Sequence, residues 1–206
     1  MTKIKSSKKQ LFFFNGLLFV IALIFIQYSI ATHEEEVEPH TISAMVAPVL
    51  QGRIKDAMVM FDSPQTMPEF EFQSIFGAKM SLDDFKGQWV ILNFWATWCP
   101  PCLAEMPSLQ AAEDEFGGQG IRVVGVSLDR DMNGDKLRSF LEDKGFGPIA
   151  AYYAVDNTVM RTLNLRGLPS TYIIAPNGKA IGVVEGDTDW VGADASTLIN
   201  SLINPK

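Results

Sequence analysis

The chain has 206 residues, 24 of them acidic and 17 basic, with a net charge of −7 and only two cysteines and two histidines. That length allows one ordinary domain plus an appendage. Beyond residue 30 all 24 acids stand against 13 basic residues, a balance near −11. This excludes nucleic acid and anionic membrane surfaces as partners, because both need clustered Lys and Arg.

The first ten residues hold Lys3, Lys5, Lys8 and Lys9 and no acid, and form a basic segment. Leu11 to Ile30 then runs twenty residues without a charge, interrupted only by Asn15, Gly16, Gln27 and Ser29. A helix of that length spans roughly 30 Å, the hydrocarbon thickness of a bilayer. The pattern predicts one transmembrane signal-anchor over 11–30. Lysines before it and Glu34, Glu35, Glu36 and Glu38 after it place the N-terminus in the cytoplasm and the rest of the chain outside. Ser29-Ile30-Ala31 also has the spacing of a signal-peptidase site, so the alternative is a cleaved leader and a soluble exported domain. The apolar run exceeds the roughly 7–15 residues of a leader's core, which favours the uncleaved anchor. No cysteine follows closely enough for a lipid anchor.

Residues 31–64 read as a tether between bilayer and domain. The stretch opens acidic, contains Pro39 and Pro48, shows no clear strand pattern and carries both histidines, His33 and His40. Ile42 to Phe61 holds enough Met, Val, Ala and Ile for a short amphipathic helix within it.

From residue 65 to 204 the pattern is that of a folded domain. Phe70 and Phe72 alternate with Glu69 and Glu71 as a short half-exposed strand. Gly77-Ala78-Lys79 marks a turn, and Ser81-Leu82-Asp83-Asp84 a capping box for a brief helix. Trp89 to Ala96 is a nearly continuous apolar strand, buried on both faces. Pro100 to Phe116 is helical, with Pro107 expected to bend it. Ile121 to Ser127 is a second buried strand, and Asn133 to Lys144 an amphipathic helix that Gly145 ends. Ile149 to Val155 reads as a strand, Thr158 to Leu165 as a short helix, and Arg166 to Ile174 as a strand entered through Pro169. Asn177-Gly178 is a hairpin turn signal leading to strand Ala180 to Val184. Trp190 to Ile203 closes the domain as a helix. Strands alternating with helices, then a hairpin and a helix, give an α/β domain whose mixed sheet is covered on both faces.

The chemistry centres on Trp98-Cys99-Pro100-Pro101-Cys102. A strand delivering Cys-x-x-Cys to a helix start is the arrangement dithiol redox chemistry needs. Zinc normally takes four ligands, and the only other soft donors lie at His33 and His40, so no metal is expected. Haem attachment requires histidine after the second cysteine, where this chain has Leu103. A purely structural bridge across so short a loop would remove little chain entropy. Cys99, at the N-cap, is then the nucleophile and Cys102, one turn in, the resolving thiol. A thiol of pKa near 8.5 is only about 3% thiolate at pH 7, so stabilisation of Cys99 is expected. Neither Pro100 nor Pro101 has an amide hydrogen, which leaves the N–H of Cys102 as the one first-turn donor for the Cys99 sulfur. Fewer donors leave the thiolate less stabilised and the couple more reducing. Glu105, three residues after Cys102, is either a solvated helix carboxylate or the acceptor of that thiol's proton.

The run Asn93-Phe94-Trp95-Ala96-Thr97-Trp98-Cys99-Pro100-Pro101-Cys102, followed by Glu105 and Pro107, resembles the membrane-anchored thioredoxin-like proteins of the TlpA/ResA type and the similar CcmG/DsbE group. The resemblance implies a thioredoxin fold with an N-terminal β-hairpin extension, preceded by the transmembrane helix. It implies that Pro169 is the cis proline facing the disulfide, with Trp98 beside it and Leu168 offering backbone hydrogen bonds to a client segment. It also implies that Glu105 handles protons in the active-site cavity, since Asn93 stands where cytoplasmic thioredoxins carry a buried aspartate. By the same resemblance the chain reduces client disulfides, as in apocytochrome c maturation or copper-site assembly, at the bacterial inner membrane on its periplasmic side. A membrane thiol-electron carrier of the DsbD/CcdA kind re-reduces it, and no soluble cofactor is needed.

Three rivals lack their marks, and a fourth stays open. A disulfide-forming oxidant of the DsbA sort carries a large helical insertion. A peroxidase needs Pro-x-x-x-Thr-x-x-Cys, which the residues before Cys99 do not supply. A copper assembly factor uses Cys-x-x-x-Cys with a distant histidine. A non-catalytic, partner-binding thioredoxin domain would keep its role after loss of Cys99.

Overall fold

The computed structural model describes residues 46–156 and 158–204. The basic segment and signal-anchor expected over 1–30, and the expected tether as far as residue 45, lie outside them. Among the described residues no helix is long and apolar enough to cross a membrane.

In chain order the elements are α1 (Gly52–Ala57), β1 (Met58–Thr66), β2 (Phe72–Ser74), β3 (Lys79–Met80), a 3-10 turn (Leu82–Phe85), β4 (Trp89–Trp95), α2 (Pro100–Phe116), β5 (Ile121–Ser127), α3 (Gly134–Lys144), β6 (Tyr152–Ala154), α4 (Val159–Thr162), β7 (Ser170–Ile174), β8 (Lys179–Glu185) and α5 (Ala193–Ile203). The strands form one mixed sheet in the order β1-β8-β7-β4-β5-β6-β2-β3. Strand β4 runs parallel to β5 and antiparallel to β7. Strands β2 and β3 form the expected hairpin extension and dock antiparallel on β6.

Side-chain alternation along β4 builds both halves of the core. Ile91 and Trp95 point to the face covered by α2, α3 and α5, where Leu109, Leu137 and Leu198 lie fully buried. Val90, Leu92 and Phe94 point to the other, where Phe72, Phe85, Val159 and Leu163 meet them. Each fully buried large side chain contributes roughly 1.5–3 kcal/mol of transfer free energy. Asn93 shares the face of Ile91 and Trp95, so the pleat turns an amide towards α2. Its partner across the ladder is Thr171 of β7, a second polar side chain on that face.

Local signals read from the sequence reappear as hydrogen bonds. The Ser81 amide donates to the Asp84 carboxylate at 2.7 Å. Asn133 caps α3 by accepting from the Lys136 amide at 3.0 Å, and Gly145 ends that helix in the left-handed region, at φ 66°. The β7–β8 hairpin closes through the Gly178 amide, which donates to the Ala175 carbonyl at 2.8 Å. Gly178 stands at φ 81°, a conformation β-branched residues avoid. Helix α2 runs through Pro107 without interruption.

Three expectations need correction. Over its described part, the stretch 31–64 is not a tether. Val46 and Ile54 are buried in the same apolar cluster as α5, and β1 pairs antiparallel with β8 at the sheet edge. Pro64 disguised this strand. It is tolerated because the register shifts between Met60 and Gln65 and because an edge strand can spare a ladder donor. Second, the strand expected over Ile149 to Val155 shortens to β6, since Pro148 opens a 3-10 turn over Pro148–Ala150. Third, the closing helix begins at Ala193 and not at Trp190, whose side chain is fully buried in the preceding loop.

Candidate active site

The turn from β4 into α2 is held at its base before the cysteines begin. The Leu128 amide donates to the Trp95 carbonyl at 2.8 Å, tying the end of β4 to the residue after β5. The Asp129 carboxylate then accepts from the Thr97 amide at 2.9 Å, the Thr97 hydroxyl at 2.7 Å and the Ser127 hydroxyl at 2.7 Å. Sequence reading missed this clamp, because no short spacing links residues 97 and 129.

Cys99 is the N-cap of α2, and its sulfur accepts from the Cys102 amide at 3.3 Å. Cys99 and Cys102 form a disulfide, with an S–S distance of 2.02 Å. Pro100 and Pro101 occupy the first two helical positions. As the sequence implied, neither offers an N–H, and among the described residues Cys102 supplies the one backbone donor to the Cys99 sulfur. Cys102 is fully buried and Cys99 is 4% exposed, whereas Trp98 beside them is 65% exposed. Trp98, which precedes Cys99 in the chain, lines a groove of about 420 Å³ with Leu128, Asp129, Arg130, Val159 and Met160.

Glu105 lies one turn beyond Cys102 and is 3% exposed, which settles its environment as buried. Its Oε1 accepts from Asn93 Nδ2 at 2.7 Å. Its Oε2 accepts from the Thr188 amide at 3.1 Å and from the Trp190 indole N–H at 3.4 Å. Asn93 Nδ2 also donates to the Thr171 hydroxyl at 2.9 Å, while Asn93 Oδ1 is buried with no hydrogen-bond partner among the described residues. Burial pushes the Glu105 carboxyl up from its ordinary 4.5 to about 7, and the nearby Asp187 charge pushes in the same direction. The bonds from Thr188, Asn93 and Trp190 pull it back, but desolvation outweighs them. A carboxyl titrating near neutrality one turn from a buried thiol can accept and return a proton.

The Leu168–Pro169 peptide bond is cis, as the resemblance implied. Leu168 packs against the apolar cluster that contains both cysteines. The Pro169 carbonyl accepts from the Gly186 amide at 3.0 Å, and Ser170 Oγ donates to the Gly167 carbonyl at 2.8 Å, so the loop is fixed on both sides. Thus Cys99, Cys102, Glu105 and Asn93 meet on one face of the sheet, with Trp98 at the rim. Thr188 and Trp190 join them from a loop that carries no motif. The sequence reading placed Trp190 at the start of the closing helix and gave it no role in the site. Among the described residues no group of three or more His, Cys, Asp or Glu could hold a metal ion.

Comparison with known proteins agrees with this geometry. Residues 64–181 match the AhpC/TSA family. The thiol-disulfide oxidoreductase ResA of Bacillus subtilis is 32% identical over 119 residues, covering 58% of this chain and 65% of that protein. ResA of Oceanobacillus iheyensis is 31% identical over 149 residues, covering 69% of this chain and 75% of that protein. The solved structure of a putative thiol:disulfide interchange protein DsbE from Chlorobium tepidum superposes with a TM-score of 0.58 at 26% identity, over 69% of this chain and 99% of that one. A DsbF homologue from Corynebacterium diphtheriae shares the fold at 22% identity, with a TM-score of 0.57 over 74% of this chain and 97% of that one. The chain therefore belongs to the thioredoxin-like AhpC/TSA family, and it is a thiol–disulfide oxidoreductase similar to ResA.

Proposed function

We propose that this protein is an exported, membrane-tethered reductant of protein disulfides, acting through the Cys99/Cys102 dithiol on a client with a cysteine pair such as apocytochrome c. In the reduced state the Cys99 thiolate attacks one sulfur of the client disulfide. A mixed disulfide forms, and the first client sulfur leaves as a thiolate that takes a proton from water. The Glu105 carboxylate accepts the Cys102 proton. The Cys102 thiolate then attacks Cys99 Sγ, and the second client sulfur leaves and is protonated in turn. Two electrons pass to the client, and the Cys99–Cys102 disulfide is restored. A membrane dithiol carrier of the DsbD/CcdA kind returns the two electrons. Trp98 and the Leu168–Pro169 turn hold the client segment against Cys99. The N-terminal segment keeps the domain on the periplasmic face of the inner membrane.

The observation that carries the direction of transfer is that Cys102 N–H is the one backbone donor to the Cys99 sulfur among the described residues. Two prolines withhold the other first-turn amides, so the thiolate gains less from the helix terminus than an unblocked one would. Equilibration with a glutathione redox buffer tests this. A reductant has a potential well below the roughly −120 mV of a strong oxidant of the DsbA type; a value at that level overturns the assignment. A Cys102→Ala variant, which cannot resolve the mixed disulfide, identifies the client. Capture of the disulfide-forming machinery alone also counts against a reductant.

A further inference from the structure

We propose that Ser108 is a positioning residue for Glu105: its hydroxyl fixes the 187–190 loop in the place from which that loop bonds the Glu105 carboxylate. The inference rests on the reading above, in which Glu105 takes the Cys102 proton.

Ser108 follows Glu105 by one turn on the same side of α2. Its Oγ lies 2.9 Å from the Glu105 carbonyl, 3.2 Å from the Thr188 carbonyl and 3.2 Å from the Trp190 amide nitrogen. A serine hydroxyl has one hydrogen and two lone pairs, so its single hydrogen is shared between the Glu105 and Thr188 carbonyls while its oxygen accepts from the Trp190 amide. The contact with the Glu105 carbonyl is the ordinary back-bond of a helical serine. The two loop contacts are not. They engage the same two residues, Thr188 and Trp190, whose amide and indole N–H groups donate to Glu105 Oε2. Among the described residues, the side-chain hydrogen bonds that tie α2 to this loop all come from Ser108 and Glu105. The loop's own bonds, Val191 N and Gly192 N to Asp189, are internal to it.

The other groups around the carboxylate cannot substitute. Cys102 on its own helix, Asn93 from β4 and Thr171 from β7 carry no charge at neutral pH when Cys102 is a thiol or disulfide. Asp187, from the loop itself, opposes ionisation. Arg53 of α1 reaches Asp187 only at 4.0 Å and is largely exposed, while its amide is bonded to Asp194 of α5. Without the Ser108 hydroxyl the loop loses its two backbone bonds to that side chain, the Thr188 amide and Trp190 indole shift away from Oε2 although the Trp190 side chain stays buried, and the carboxylate depends on Asn93.

The test uses the full-length chain in detergent micelles, with Glu105 followed by carboxyl ¹³C NMR and its signal assigned by Glu105→Gln. Ser108→Ala and Ser108→Val are expected to lower the ionised-to-protonated ratio of Glu105 at pH 7 about ten-fold. Ser108→Thr, which restores the hydroxyl, returns it to the wild-type value. The pH profile of disulfide reduction moves in the same direction as the Glu105 titration. A wild-type Glu105 titration in folded Ser108→Ala or Ser108→Val overturns the inference. If Ser108→Ala does not fold, the Thr/Val pair decides, because the two side chains differ only in hydroxyl against methyl. Exchange of the Trp190 amide in the unmutated protein at the rate of an exposed amide also overturns it. A Glu105 titration that shifts as expected while the reduction profile stays put supports the positioning role and removes Glu105 from proton transfer.

Discussion

Asn93 and Glu105, on β4 and α2, meet side chain to side chain at 2.7 Å, one turn from the buried Cys102. This contact joins the sheet to the redox helix with a polar bond inside a face that is mostly apolar, with Thr171 beside it. Burial of that carboxyl, which outweighs the bond from Asn93, sets how the site responds to pH.

The Glu105 carboxyl is raised from 4.5 to about 7 in the folded protein, so the folded state holds its proton more tightly than the unfolded chain does. The resulting stability is fully present below about pH 4.5 and is lost as pH rises through 7, amounting to about 3 kcal/mol. Glu105→Gln has no carboxyl to ionise, so its urea unfolding free energy is expected to stay level across that window while the wild type declines. Its rate of client disulfide reduction at pH 7 is expected to fall by roughly 10²-fold. A wild-type curve that is flat between pH 4.5 and 8 contradicts the buried-carboxyl account.

Asn93→Asp sets a second carboxylate against the first. Two such groups cannot both ionise at close range, so the pair retains a proton to higher pH than Glu105 alone does. The variant is expected to unfold near wild-type denaturant concentrations at pH 5. At pH 8 it should lose about 3 kcal/mol, read from urea transitions at the two pH values.

The Asp129 clamp should matter for the motif's shape more than for its chemistry. Asp129→Ala leaves the Thr97 amide, the Thr97 hydroxyl and the Ser127 hydroxyl without their acceptor. A cost of about 1–3 kcal/mol is expected in thermal or urea melts. Faster motion of the Trp98 indole N–H should appear in NMR relaxation. Asp129→Asn, which keeps one acceptor oxygen, should cost less.

Pro101→Ala returns an N–H to the first turn of α2. With one more donor near the sulfur, the Cys99 thiolate fraction should rise about ten-fold and the reduction potential by about 30 mV. Ultraviolet thiolate absorbance and glutathione equilibration measure the two quantities. If neither moves, the single-donor explanation of reducing character is wrong.

Much of the site is written in short-range patterns. An apolar strand running into Cys-Pro-Pro-Cys gave the redox helix, Ser81 and Asp84 marked a turn, and Asn177-Gly178 marked a hairpin, because each depends on residues within one turn of one another. Glu105 was visible as a candidate, but not its burial, which depends on Thr188 and Trp190, more than eighty residues later in the chain. The edge strand β1 stayed hidden for a related reason. Its partner β8 lies far along the chain, and Pro64 argues against a strand until the edge position and the register shift are known. Contacts that depend on tertiary placement leave no periodic trace.

The contrast between Cys99, almost wholly covered, and Trp98, mostly exposed, limits which molecules can react. A sulfur with so little open surface cannot reach a disulfide set flush in a rigid globule. The incoming bond has to stand on a protruding or unfolded stretch of chain that can lie along the groove beside Trp98. In the proposed reductant role, selection among targets then follows their state of folding as much as their sequence: a polypeptide is expected to react while its cysteines are still loosely held, and not once they are packed away.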